Sequence, residues 1–477
     1  MIQRACRRPR AAGKLVQTNR MPRSCLDMKK QSCMSQVARR SFCSICNQYH
    51  YHQNYYTHRP RRTFSTSDDD TDNTMPPSCL LPYVGLPSYP DVIELEPGQR
   101  VVAIGDVHGD FGMLLTALQL AGVIAEEIVF DDDNGEEGRS FVWTGGSDVL
   151  VQIGDVLDRG PHELQCWQLL MELSRQAQGE GGKVILLHGN HEIWTSIGFY
   201  QLDQERYMEN IDYDDDIDDA FEMAFGHHLD ETLLETEDRW RDARVLNALV
   251  TNGISLHPRK VAARWAACEP GGLLAKDFLS QFKIAVTVGN SIFVHAGIAP
   301  EHLDRFGGIS GMNETTRNWI LKKGPRVGRQ HMFVPPNDPE GRLRTYVQSM
   351  PDFFMEGDDN AFSPIWMRDY GDPADDIPHN HNAYDMLETV LRRLKADRLV
   401  IGHTPQSQIN AILNGKAWRI DVGMSRGMNS TYPEVLEIVR CANGDETVSI
   451  LTAEGPVAAE ERYIIDDDHV ENNDEKI

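Results

Sequence analysis

The sequence predicts an α/β fold in which two mixed β-sheets pack face to face, flanked by helices and interrupted by a helical cap insertion. Three observations carry this expectation. Short apolar runs bounded by glycine recur along the 477 residues, as buried strands require. Helical patterns alternate with the early runs while the late runs follow one another, the pattern of layered sheets with helices outside. Five of the runs also end on Asp, Asn or His, and the carboxyl edge of strands is where open α/β sheets bind ligands.

From the amino terminus, residues 1–66 hold 14 Lys and Arg against one acid, Asp27. They are Arg-rich, acid-poor and without a long hydrophobic core, which matches a transit peptide and not a secretory signal. The segment ends in Arg61-Arg-Thr-Phe-Ser-Thr-Ser67, which resembles the processing site of mitochondrial presequences, with cleavage near Phe64 and Ser65. A mitochondrial address is expected, with the import machinery as a partner; a plastid address or a cytoplasmic protein with a basic tail is the alternative. Cys6, Cys25, Cys33, Cys43 and Cys46 lie in this segment. Cys43 and Cys46 have no second C-x-x-C pair to complete a zinc site, and the remaining Cys79, Cys166, Cys268 and Cys441 suggest no disulfide framework. The net charge of −25 therefore sits on a strongly acidic body, which disfavours nucleic acid and anionic membranes as partners. No apolar run approaches the roughly 18 residues of a membrane span.

Residues 67–97, acidic and then proline-rich, read as a linker into a folded unit spanning 98–452. The run Val101–Ile104 gives the first strand, and Asp110 is placed to cap a helix over 113–121. Residues 131–140 read as a polar insertion. Phe141–Trp143 and 149–153 read as consecutive strands joined by a hairpin turn at 145–148. A helix is expected over 163–178. From about 195 to 281 the pattern turns helical and acidic, a cap beside the site. Its Asp212–Asp219 run lacks the glycine and terminal glutamate of a calcium loop. Residues 284–288 and 291–294 form a hairpin around Gly289-Asn290, and a helix is expected near 314–323. Ser363–Tyr370 is an aromatic-basic block, followed by a helix over 382–395 and strands at 416–422, 434–440 and 447–451. Residues 453–477 read as an acidic disordered tail.

The chemistry lies at the ends of the five runs. They close on Asp106 and His108; on Asp155, Asp158 and Arg159; on Asn190 and His191; on His295; and on His403. Oxygen and imidazole donors without thiolates suit hard-to-borderline divalent ions. As an ordered set, GD-x-H, GD-x-x-DRG, GNHE, H-x-G and GH resembles the signature of calcineurin-like metallophosphoesterases. The Pro270–Ala275 and Trp418–Gly427 blocks resemble, more narrowly, the Shewanella-like branch of the phosphoprotein phosphatases.

That resemblance implies the metallophosphoesterase sandwich and a binuclear centre of Mn, Fe or Zn. Asp106, His108 and Asp155 would hold one ion; Asp155, Asn190, His295 and His403 would hold the other. It implies attack of a metal-bound hydroxide on phosphorus, with His191 protonating the leaving oxygen, Asp158 supporting His191, and Arg159 and Arg368 binding phosphate. Arg264 is a weaker candidate for the same task, and His188, His227 and His228 are not expected to ligate. The implied substrate is a phosphoprotein; a dinucleoside polyphosphate, or a non-catalytic phosphoprotein-binding role, is the alternative.

If the basic segment is an import signal, the endogenous protein begins near Ser65. Amino-terminal sequencing of protein from its own cells checks this, and an intact form starting at Met1 in the cytosol contradicts it.

Overall fold

The computed structural model describes residues 87–130, 137–160, 162–196, 268–321, 350–354, 362–371 and 381–464. Most of the expected cap lies outside them, as do Asp212–Asp219, His227, His228 and Arg264. In chain order the strands are β1 (Val92–Ile93), β2 (Arg100–Ile104), β3 (Ile124–Phe130), β4 (Glu137–Trp143), β5 (Val149–Gln152), β6 (Lys183–Leu186), β7 (Ala285–Val288), β8 (Ser291–Val294), β9 (Arg398–Ile401), β10 (Asn410–Ile412), β11 (Ala417–Arg419), β12 (Val435–Arg440), β13 (Glu446–Thr452) and β14 (Gly455–Ala458). The α-helices are α1 (Phe111–Leu120), α2 (Glu163–Gly179), α3 (Asn190–Ser196), α4 (Leu273–Asp277), α5 (Pro300–Arg305), α6 (Gly308–Leu321) and α7 (His381–Leu394).

Two six-stranded mixed sheets result, ordered β14-β13-β12-β2-β5-β6 and β1-β7-β8-β9-β11-β10. The layered α/β expectation holds. β2, β5 and β6 run parallel, and their residues are almost wholly buried, which is why they read as unbroken apolar runs and not as alternating ones. In the second sheet the alternation is visible. Val286, Val288, Phe293, Val400 and Trp418 join one core with Val102, Ile104 and Val151 of the first sheet. Their neighbours Ala285, Ile292, Val294, Leu399, Ile401 and Ala417 join a second core with Ala383, Leu387 and Val390 of α7. The period-two alternation of side chains thus gives each strand of this sheet two separate apolar contacts.

Several local expectations hold closely. The Asp110 side chain accepts a hydrogen bond from the Met113 backbone N–H as the cap of α1. The hairpin turns at Gly289-Asn290, where Gly289 has φ +57°, a conformation that costs glycine little.

Other expectations are corrected. β4 and β5 are not a hairpin: β4 pairs back along its whole length with β3, from Ile124↔Trp143 to Phe130↔Glu137, as a separate ribbon. The turn at Gly145–Asp148 does form, but β5 is taken up by parallel neighbours on both sides, where it is buried more fully. Residues 137–140 of the supposed insertion are therefore strand. α6 begins six residues earlier than expected. The end of the supposed linker is also structured: β1 adds parallel to β7, and Asp91 pairs with Lys283 at 2.6 Å.

The tail reading is corrected over 453–464. β14 pairs antiparallel with β13, from Thr452↔Gly455 to Ser449↔Ala458. Arg462 then pairs with Glu434 at 2.8 Å, and Tyr463 packs edge-on to Trp418 with ring centroids 5.9 Å apart. An acidic composition hid these contacts because they depend on partners far back in the chain.

Ending the chain after Thr452 removes all three contacts and should lower the melting temperature by about 5 °C or more. Ending it after Ile464 keeps all three and should give the higher midpoint of the two truncations. Equal melting curves for the two truncations would show that β14 contributes nothing to the folded unit.

Candidate metal centre

The five motif loops follow β2, β5, β6, β8 and β9, whose carboxyl ends lie together across the two sheets. Tight turning there is enforced by backbone conformations that side chains rarely adopt. His108, Asp155, Asp158, Arg159 and His403 all have positive φ, from 47° to 71°. Five such residues in one place are strain that the surroundings must hold, a mark of functional sites. The motif glycines allow the approach: a Cβ at Gly189 would lie 2.0 Å from Asp155 Oδ1, and one at Gly402 would lie 2.5 Å from Asp106 Oδ1.

All six expected ligands are buried. Asp106 Oδ1 lies 3.4 Å from the His403 backbone N, but the first group of ligand atoms holds His191, expected as the acid, in the place expected for Asp106. Ligand atoms of His108, Asp155 and His191 lie within 4.8 Å of one another, as do those of Asp155, His295 and His403. Asp155 belongs to both groups. His295 Nδ1 is 3.1 Å from the Ile153 carbonyl, and His108 Nδ1 is 3.1 Å from that of Leu157. Each carbonyl accepts the ring N–H, which leaves Nε2 of both rings as a lone pair. His295 Nε2 then faces Asn190 Oδ1 at 3.0 Å and Asp155 Oδ2 at 3.3 Å. His403 Nδ1 faces the same Asn190 oxygen at 2.9 Å. Separations near 3 Å are those of ligands sharing an ion about 2.1 Å away.

The electrostatics ask for a cation too. Asp106, Asp155, Glu192 and Asp421 are buried together. Burial, then the charges of Asp421 and Asp155, push Asp106 well above the usual carboxylate range. Burial pushes Asp421 up to about 6. Burial, with the nearby His191, pushes His108 down to about 3, and burial with His295 lowers His403, so both are neutral donors. Burial would lower His295 too, but Asp155, Glu192 and the Ile153 carbonyl together raise it. The residues fit a divalent ion: clustered acids cannot all ionise unless a positive charge compensates them.

Beside this group His191 Nδ1 contacts Asp158 Oδ2 at 2.8 Å, while its Nε2 is 3.9 Å from Asp155 Oδ2. Burial would lower the His191 pKa, but Asp155 and Asp158 outweigh it and raise it. Among the described residues, Nε of Arg159 is buried with no hydrogen-bond partner. Arg368 is exposed, donating to Thr404 Oγ1 at 2.9 Å. Half-buried Trp194 and Trp366 pack 4.6 Å apart, one against His191 and the other against His403. His188, expected not to ligate, is buried against Phe282.

Sequence reasoning gave no role to Glu192, although it stands inside the third motif. Its carboxylate accepts from the backbone N–H groups of Asp155, Val156, Leu157 and Gly189, at 2.8, 2.8, 3.1 and 2.8 Å. Glu163 likewise accepts from the Asp158 N–H at 2.6 Å. Asp421, against Asp106, was also missed. A carboxylate whose partners are backbone groups leaves no mark in residue identities.

The calcineurin-like phosphoesterase family model matches residues 99–407. Shewanella-like protein phosphatase 2 of Arabidopsis thaliana is 32% identical over 377 residues, 77% of this chain and 81% of that protein. Shewanella-like protein phosphatase 1 of Plasmodium berghei (strain Anka) is 32% identical over 116 residues, 24% of this chain and 28% of that one. Among solved structures, a cold-active protein-tyrosine phosphatase of a psychrophilic Shewanella species aligns with a TM-score of 0.47 at 19% identity, covering 81% and 89% of the two chains.

Glu192→Ala strands four buried amide groups and should cost about 3 kcal/mol or more of stability. It should also abolish tight uptake of divalent ions. Denaturant unfolding and metal titration check this; wild-type behaviour in both would show that the loops hold themselves.

Proposed function

The chain belongs to the calcineurin-like phosphoesterase family, in its Shewanella-like protein phosphatase branch, and we propose that it is a two-metal phosphomonoester hydrolase of phosphoproteins. The observation that carries this is Asp155, shared between two groups of ligand atoms, with the His191–Asp158 pair beside it. Asp106, His108 and Asp155 would hold one ion, and Asp155, Asn190, His295 and His403 the other. Divalent ions (Mn, Fe or Zn) would supply Lewis acidity and water acidified to near-neutral pKa.

The chain's own residues do the rest. Arg159, whose buried Nε has no hydrogen-bond partner among the described residues, would bind phosphate oxygens with a forked geometry that lysine does not match. Arg368, exposed and hydrogen-bonded to Thr404, adds a second donor. Nδ1 of His191 is engaged by Asp158, so Nε2 carries the proton given to the leaving oxygen. The raised His191 pKa keeps that proton in place near neutral pH. Trp194 and Trp366 form an apolar wall for the side chain that bears the phosphate.

A phosphoprotein is favoured over a dinucleoside polyphosphate by the charge of the chain. The acidic segment between the third and fourth motifs repels a polyanionic nucleotide, whereas a phosphosite of about −2 is readily offset by basic flanking residues. The basic amino-terminal segment supports a mitochondrial location.

With Mn²⁺ present, the protein should hydrolyse phosphopeptides with basic flanks faster than diadenosine tetraphosphate; the reverse order overturns the substrate assignment. His191→Ala should slow phosphopeptide hydrolysis about 10²–10⁴-fold, and nitrophenyl phosphate, whose leaving group needs no proton, much less. No turnover of any aryl phosphate by the metal-loaded wild type would favour the binding-only alternative.

The pH profile gives an independent check. The acid form of His191 is lost as pH rises through its raised pKa, so phosphopeptide turnover should fall on that alkaline limb. Asp158→Asn removes a charge that raises this pKa and should move the limb to lower pH. A limb that stays in place would assign it to another group.

A further inference from the structure

The Met424-Ser-Arg-Gly427 segment, singled out in the sequence but given no chemical task, lies directly against the first motif loop. Arg426 directs three donors at one buried carboxylate: its backbone N–H and Nε reach Asp110 Oδ2, and Nη2 reaches Oδ1, each at 2.9 Å. The Ser425 hydroxyl donates to the His108 carbonyl at 3.3 Å. Just upstream, Asp421 sits against Asp106, and a Cβ at Gly105 would meet the Ile420 carbonyl at 2.5 Å. One segment thus follows the first loop from Gly105 to Asp110.

We propose that Arg426 is a positioning residue for the metal centre. By gripping Asp110 it holds His108, two residues earlier, in its left-handed bend, with Nε2 directed toward Asp155. Asp110 is fixed from two sides, because the same carboxylate caps α1 through the Met113 N–H. The turn between β2 and α1 is therefore clamped at its exit by Arg426 and at its centre by Ser425. His108 has φ +47°, a conformation that a loosened loop would leave, carrying Nε2 away from Asp155. Only a planar fork in register with both carboxylate oxygens does this; an ammonium would meet one oxygen and leave the loop free to pivot. The guanidinium and the carboxylate face each other in a two-pronged ion pair at 2.9 Å. The inference rests on the two-metal reading above.

The test is calorimetric titration of Mn²⁺ into metal-free protein, together with kcat on nitrophenyl phosphate at rising Mn²⁺. Arg426→Ala should weaken uptake of one Mn²⁺ about 10–100-fold, the effect of removing a group that orients a ligand, and excess Mn²⁺ should restore much of kcat. Arg426→Lys keeps the charge and guards against misfolding; it should retain part of the loss. Asp110→Ala combined with Arg426→Ala should be no weaker than either alone. Wild-type Mn²⁺ affinity in folded Arg426→Ala or Arg426→Lys, or additive losses in the double variant, would overturn the role of Arg426 alone. A wild type that takes up no Mn²⁺ overturns the metal reading and this inference with it.

Discussion

The centre depends on one carboxylate that touches no substrate. Glu192 accepts from four backbone amides, three from the loop after β5 and one from the loop after β6. Those loops carry Asp155 and Asn190, and Asp155 has a backbone conformation it would not adopt unaided. A single buried acceptor ties the strained turn after β5 to the turn after β6 as one rigid unit, because each amide would otherwise be buried unpaired. Burial first, and then the charge of Asp155, push Glu192 up to about 7. The group that builds the site thus opposes the site's own charge, and compensating positive charge in the centre relieves both.

The fold supplies the platform through simple alternation. Parallel strands buried on both faces place their carboxyl ends along one line, and the second sheet faces the first through Val286, Phe293 and Val400. His295 and His403 follow β8 and β9, adjacent parallel strands with Ile292 opposite Leu399. Their ring centroids lie 5.2 Å apart, close to the spacing of neighbouring strands. Neighbouring strands thereby bring two imidazoles to one Asn190 oxygen, His403 in a left-handed bend.

Much of this was legible in the sequence because it is carried by residue identity. Apolar runs ending in Asp, Asn or His mark both the strands and the buried polar residues at their ends, where His108, Asp155, Asn190, His191, His295 and His403 come together. What was not legible depends on pairing partners. β3 pairs with β4, and β14 with β13, by choices that neither segment's composition records. The roles of Glu192, Glu163 and Asp421 lie in bonds to backbone groups and in burial beside like charges. Arg159 was legible as a candidate from its motif, whereas the packed pair of Trp194 and Trp366 joins residues that no single motif contains.

Chain order adds a last constraint. β12 pairs antiparallel with β2, Ile438 opposite Val101, so the ends of the folded unit meet in the middle of one sheet. This pairing carries residues 420–427 back to the first loop, where Arg426 and Asp110 are separated by 316 positions. His403 and Asp106 are separated by 297. The centre therefore has no local precursor: its first loop is complete only when the last strands are in place. Loop closure over such distances is slow relative to local structure, so competence to bind divalent ions should arise with global folding and not before it. Binding free energy at such a site is then folding free energy.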